Sequence, residues 1–298
     1  MAKQIANADR RSAWARWSGI LFVAPYLCLF VLMLLVPLVM GMRLSLARGD
    51  LFGIREFVGL ENYVRLFQDP VFLRTVWNTL YFVLLTVPSL TIAGLLLALA
   101  LNRETRWAAI MRGIFFASFV LSVTVVTLIW RLLLIPNGGL AAVVANSIGA
   151  EPISFLGDQD WAMPSIAITT IWWGIGLPMV LFLAALQQVP RDIYEAAALD
   201  NASRMRMLFS ITLPAIRRTI ALVLVIEIIL QFQLFGQPQL MTGGGPNNST
   251  RPIVLFIYET GWSQWQLGYA SAAAQVLFAL IALVAMVQYR ISSKKERG

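Results

Sequence analysis

The sequence predicts an all-α membrane protein of six transmembrane helices, and three observations carry that expectation. Of 298 residues, 59% are hydrophobic and only 13% charged, with a mean hydropathy of +0.74, far outside the range of water-soluble domains. Six apolar stretches each reach the roughly 20 residues that a helix needs to cross about 30 Å of hydrocarbon. Lys and Arg collect at the ends of those stretches and not along one face, so the net charge of +8 reads as membrane topology and not as nucleic-acid binding.

The stretches run from about Ile20 to Leu46, Val76 to Leu101, Ile110 to Ile135, Pro164 to Leu186, Ile216 to Leu240, and Leu267 to Tyr289. Lipid offers no partner to an open backbone group, so spans of this length are helices. Residues 1–19 are then a short N-terminal segment, 20–290 one six-helix domain, and 291–298 a tail. The first run is too long for a signal-peptide core and lacks a small-residue cleavage site, so it is expected to be retained. The absence of histidine and the single cysteine, Cys28, exclude a zinc site, a disulfide and any His-dependent triad.

Sixteen Lys and Arg fall on one side of this topology and six on the other. The positive-inside rule makes the first side cytoplasmic, which places both termini there and the stretch from Asn137 to Trp161 outside, as expected of a multi-pass membrane protein. That outside stretch carries Glu151, Asp158 and Asp160 and no positive charge. The segment from Ala47 to Thr75 is also outside, although Arg48, Arg55, Arg65 and Arg74 lie in it. Taken by itself it reads as an amphipathic interfacial helix that anchors the chain.

Within the second span, Gly94 and Ala98 make a small-xxx-small face suited to close helix packing. In the fourth, Trp172, Trp173, Gly174, Gly176 and Pro178 fall within seven residues, which predicts a bend or break near the membrane midplane. In the fifth, Glu227 and Gln231 lie four apart on one face of an otherwise apolar helix. Intramembrane carboxylates and amides face a bundle interior or a wet cavity. Flat rings such as Trp172, Trp173 and Phe235 offer stacking faces and amides offer hydrogen bonds to a polar solute, so these five residues are pathway candidates; the alternative is that they hold helix to helix.

Between the fourth and fifth spans lies Arg191 to Pro214, which contains Arg191, Asp192, Glu195, Asp200, Arg204 and Arg206. Each charge costs about 2.5–3.5 kcal/mol at the centre of a membrane helix, so this segment lies in water. Pro190 suits the first position of a helix, and Asp192 and Glu195 place negative charge in its first turns. Asn201 stands where that helix ends, being the residue after Gly that best tolerates a left-handed backbone, and Ser203 suits the cap of a second helix.

Glu195-Ala196-Ala197, followed by Asp200, Ala202, Phe209 and Ile211-Thr212-Leu213-Pro214, resembles the EAA motif of permease subunits of sugar-type ATP-binding-cassette importers. The family usually has Gly where Asn201 stands. The stretch Gly59 to Tyr63 resembles an outer loop of the same permeases, and Thr242-Gly243-Gly244-Gly245-Pro246 resembles their periplasmic turn. The resemblance implies a type I importer permease fold, with residues 191–210 forming coupling helices. It implies docking of a separate ATPase through Glu195, Ala196, Ala197, Asp200, Asn201, Leu213 and Pro214, and contact of Gly243, Gly244, Gly245 and Pro246 with an extracytoplasmic sugar-binding protein. Its further implied partners are a second homologous permease, an ATPase dimer that holds ATP and Mg, a carbohydrate substrate and the lipid membrane. This chain itself would bind no cofactor or metal, engage no nucleic acid and act as no enzyme. The triglycine turn has no Gly-Lys-Ser/Thr after it and so makes no phosphate loop.

A rival reading is a secondary carrier driven by an ion gradient, with Glu227 as its proton or sodium site. An intramembrane enzyme is a third, opposed by the lack of a nucleophile and base pair.

Overall fold

The structure is a computed structural model that describes residues 21–50, 53–136 and 138–294. The expected segment 1–19 and the last part of the tail lie outside the described residues. Helix α1 (Leu21–Ser45) is apolar all round and packs chiefly along the last helix, leaving Leu21 and Phe22 exposed. A helix with no polar face requires lipid. A π turn at Val31–Leu35 leads into Pro37, where a wider turn accommodates the ring and the missing N–H.

The segment expected as an interfacial helix holds more than helix. A two-stranded antiparallel hairpin, β1 (Ala47–Asp50) and β2 (Gly53–Phe57), precedes the amphipathic α2 (Glu61–Gln68). The buried Asn62 ties them to α1, its Nδ2 donating to the Ser45 and Ala47 carbonyls at 2.9 and 3.0 Å.

Helix α3 (Pro70–Leu101) starts six residues before its apolar run. Asp69 accepts the Val71 and Phe72 amides, and Pro70 occupies a position where no N–H is needed. Its 32 residues span about 48 Å at 1.5 Å each, so it tilts or projects beyond the hydrocarbon. The small face is a packing face: a Cβ on Gly94 would lie 2.8 Å from Pro178 Cβ, and Ala98 is fully buried.

The third span, expected to be continuous, is instead a pair of helices, α4 (Arg106–Val120) and α5 (Val123–Leu133), bent by 99°. Leu121 and Ser122 adopt extended backbone, and the indole N–H of Trp173 donates to the freed Leu121 carbonyl at 3.1 Å. Neither Gly nor Pro marks this break. After α6 (Leu140–Ser147), the fourth span breaks as expected between α7 (Gln159–Gly174) and α8 (Gly176–Leu186), by 43°. Gly176 is required there: a Cβ would stand 2.4 Å from the Phe115 carbonyl oxygen of α4.

Beyond α8 come α9 (Arg191–Leu199), α10 (Arg204–Met207), a π turn (Leu208–Thr212) and α11 (Leu213–Ala215). The fifth span is α12 (Arg217–Phe232), which breaks through Gln233, Leu234 and Phe235 into α13 (Gly236–Met241). Then follow α14 (Ile253–Tyr258) and the last span, α15 (Leu267–Lys294). One core joins α3, α12, α14 and α15 around Phe72, Phe232, Ile253 and Phe256, and a second joins α3, α8 and α12 around Met179, Phe182 and Val223.

Candidate functional site

Helix α9 contains no buried residue, so its own chain does not explain its apolar side chains. Its end is built as a Schellman turn: the Ala202 amide donates to Ala197 O at 3.0 Å and the Asn201 amide to Ala198 O at 3.1 Å. Asn201 takes φ +54°, the left-handed conformation expected of it, and Ser203 Oγ caps α10 by accepting the Arg206 amide. Pro190 lies one residue earlier than expected, as the cap and not the first helical residue.

Tyr194 ties α9 to the π turn that follows α10, its hydroxyl bonding Thr212 Oγ1 at 3.0 Å, and Arg191 ion-pairs with Glu104 between α3 and α4. Ala197 and Leu213 are half-buried, while Glu195, Ala196, Asp200, Asn201 and Pro214 are exposed. Around them Leu199 is 85% exposed, Met205 64% and Phe209 61%. Large apolar side chains displayed on a folded projection make a surface of the kind that meets a partner protein or a membrane. Spacing alone did not reveal Tyr194, Leu199 or Met205 as parts of it. Because a β-branched residue resists positive φ, Asn201→Val should lower stability by about 1–2 kcal/mol, read as an earlier unfolding midpoint, while Asn201→Gly should leave it unchanged or raised.

The pathway candidates do not form one cluster. Gln231 Nε2 donates to Glu227 Oε2 at 3.0 Å, and both residues are buried, as their shared helix face predicts. Trp173 is engaged by the Leu121 carbonyl, and Trp172 is exposed with its ring edge-on to Trp130 at 5.9 Å. Phe235 lies at the break of the fifth span, edge-on to the Tyr258 ring at 5.2 Å. Gln237 links that break to α7 through Thr170 Oγ1.

The triglycine turn is hydrogen-bonded both within itself and to α3. Gly243 and Gly244 take φ of +61° and +82°, and Thr250 Oγ1 donates to the Gly245 carbonyl at 2.6 Å. Asn78 of α3 anchors it by donating to the Asn248 and Arg251 carbonyls at 2.6 and 2.9 Å. Gly243 and Asn247 form the exposed tip, Gly245 and Pro246 are half-buried, and Gly244 is buried against Arg251 and Leu255.

The family model described as binding-protein-dependent transport system inner membrane component matches residues 67–298, which contain the helix pair, both bent spans and the turn. The chain belongs to this family. Members of the family are membrane transport components, and this permease is not an enzyme. It is 35% identical over 292 residues to the sulfoquinovosyl glycerol transport system permease protein SmoG of Agrobacterium fabrum, covering 95% of each chain. It is 31% identical over 284 residues to the lactose transport system permease protein LacF of Rhizobium radiobacter, covering 94% of this chain and 95% of that one. The permease also shares its fold with a chain of the bacterial alginate ABC transporter crystallised with an alginate-bound periplasmic protein, at a TM-score of 0.80 and 24% identity over 96% of both chains. It is therefore a multi-pass inner-membrane permease of the sugar ABC importer class, with the type I importer fold.

Proposed function

We infer that the permease is one half of the membrane channel of an ATP-driven saccharide importer and is driven through the helix pair at Arg191 to Pro214. The observation that supports this best is a prefolded, water-exposed projection displaying Leu199, Met205 and Phe209, none of which its own chain buries. A self-sufficient carrier has no use for such a surface. In this reading an ATPase subunit docks there, the small Ala196 and Ala197 permit close approach, and Glu195 and Asp200 flank the contact with charge. Closure of an ATPase dimer around ATP and Mg pulls the pair, and Leu213 and Pro214 transmit the movement to α12. A second, related permease completes the pathway, and both termini lie in the cytoplasm.

Substrate crosses beside the bent spans, where Trp172, Trp173 and Phe235 stand near backbone released from helical bonding, while Glu227 and Gln231 hold α12 in the shape that exposes the break. An extracytoplasmic binding protein delivers a saccharide to the tip of the triglycine turn, around Gly243, Gly245 and Pro246, with Gly244 supporting the turn from below. The relatives carry a sulfonated and a neutral glycoside, so sulfoquinovosyl glycerol and lactose are the first substrates to test. Affinity purification of this chain from its native membrane should bring down an ATPase and a second permease, and the complex in liposomes should take up a saccharide only with ATP. A chain that purifies alone and moves solute on an ion gradient without nucleotide would instead make Glu227 the centre of the mechanism.

A further inference from the structure

One turn-spaced stripe near the start of α3 is only partly accounted for by packing, since of its three residues Tyr81 alone packs against the core around Phe82 and Met163. Arg74, Trp77 and Tyr81 fall at i, i+3 and i+7, on one face of the helix, and Trp77 is 61% exposed. They line one wall of a cavity of about 200 Å³, whose opposite wall is the first turn of α7 with Gln159 and Asp160.

Two features distinguish this cavity from an interfacial aromatic anchor. Arg74 and Asp160 line the same space, yet among the described residues neither has an ion-pair partner. Ser249, also in the lining, is 5% exposed and its hydroxyl has no hydrogen-bond partner among the described residues. A surface that faced lipid headgroups would need neither an opposing polar wall nor a buried free hydroxyl.

We propose that this cavity is an entry subsite for one saccharide ring. The inference rests on the saccharide-importer reading. Trp77 and Tyr81 supply aromatic faces for the apolar C–H side of the ring. Asp160 accepts from neighbouring ring hydroxyls, Arg74 donates a planar fork to a hydroxyl pair or an acidic group, and Gln159 does either. Asn78 stands in the same lining and binds the triglycine turn through the Asn248 and Arg251 carbonyls. The subsite therefore adjoins the turn assigned to the binding protein, and a sugar released there meets this cavity before the bent spans.

The test uses the complete complex in detergent without its binding protein, with lactose and sulfoquinovosyl glycerol as probes, and records saturation transfer from the protein to the sugar C–H protons. The parent should transfer to at least one probe, and Trp77→Ala and Asp160→Asn should each lower the signal at least fivefold. Trp77→Phe, which keeps a ring, should retain it. So should Leu84→Ala, which alters an exposed residue of α3 outside the cavity. A parent without signal, or a Trp77→Ala variant with the parental signal, overturns the subsite. ATP-driven uptake by the same complex with its binding protein separates this from the broader reading. Uptake without a Trp77-dependent signal removes the subsite alone, and a Trp77-dependent signal in a complex that imports nothing under ATP removes the importer reading and keeps the site.

Discussion

Replacing Ala197 with arginine should lower ATP-driven uptake at least a hundredfold while leaving the permease inserted and folded. Arginine is nearly as good a helix former as alanine, and the Schellman turn uses the Ala197 carbonyl and not its side chain, so α9 and its cap persist. The added guanidinium projects from a half-buried position, on the other side of α9 from the exposed Leu199. An ATPase groove shaped for a methyl group would have to desolvate that charge without a partner, which costs several kcal/mol, and about 2.7 kcal/mol already amounts to a hundredfold loss of docking affinity. Ala197→Ser, small and uncharged, should keep uptake within about threefold. The check is uptake together with the amount of ATPase retained on the purified permease. Parental uptake by the arginine variant in the full complex would remove the docking surface from Ala197.

What was legible in the sequence and what was not differ in physical kind. Span number followed from length and apolarity because lipid enforces helix on any stretch that crosses it. The end of α9 was legible because a positive φ has few residue types that tolerate it, and Asn201 is one of them. Glu227 and Gln231 were legible as a pair because spacing four on a helix is geometry, but their burial depends on α3 and α15, which no local pattern encodes. The break at Leu121 and Ser122 left no local mark: its open carbonyl is satisfied by Trp173, 52 residues away, so its cause is tertiary. The hairpin before α2 was hidden for another reason. Its strands are short and charged, and their alternation is broken by a register irregularity between Arg48 and Gly49. The entry cavity was equally invisible, since Trp77 reads as an ordinary interfacial tryptophan until α7 is set opposite it.

The two bends also define the residue at which one carbon atom should cost most. At Gly176 a Cβ would stand 2.4 Å from Phe115 O and 2.9 Å from Phe116 Cα. Both are backbone atoms inside α4, so no side chain can rotate away and α4 itself must move outward. That movement separates Trp173 from Leu121 and leaves the carbonyl at the 99° bend without its partner. Overpacking costs about 1–3 kcal/mol, and loss of the indole–carbonyl hydrogen bond adds about 0.5–1.5 kcal/mol more. Gly176→Val should therefore lower the unfolding midpoint of the purified permease sharply and leave less than a tenth of the parental uptake. Gly113→Val serves as the control, because a Cβ at Gly113, on the α4 helix that Gly176 packs against, meets nothing within 4 Å; it should change neither quantity beyond error. If Gly176→Val unfolded at the parental midpoint, the close crossing of α4 and α8 would be wrong, and with it the route of substrate past the bent spans. If it unfolded early but the small fraction that folds imported at the parental rate per molecule, the crossing would be structural alone, and the pathway would have to run along the other broken span, at Gln233 to Phe235.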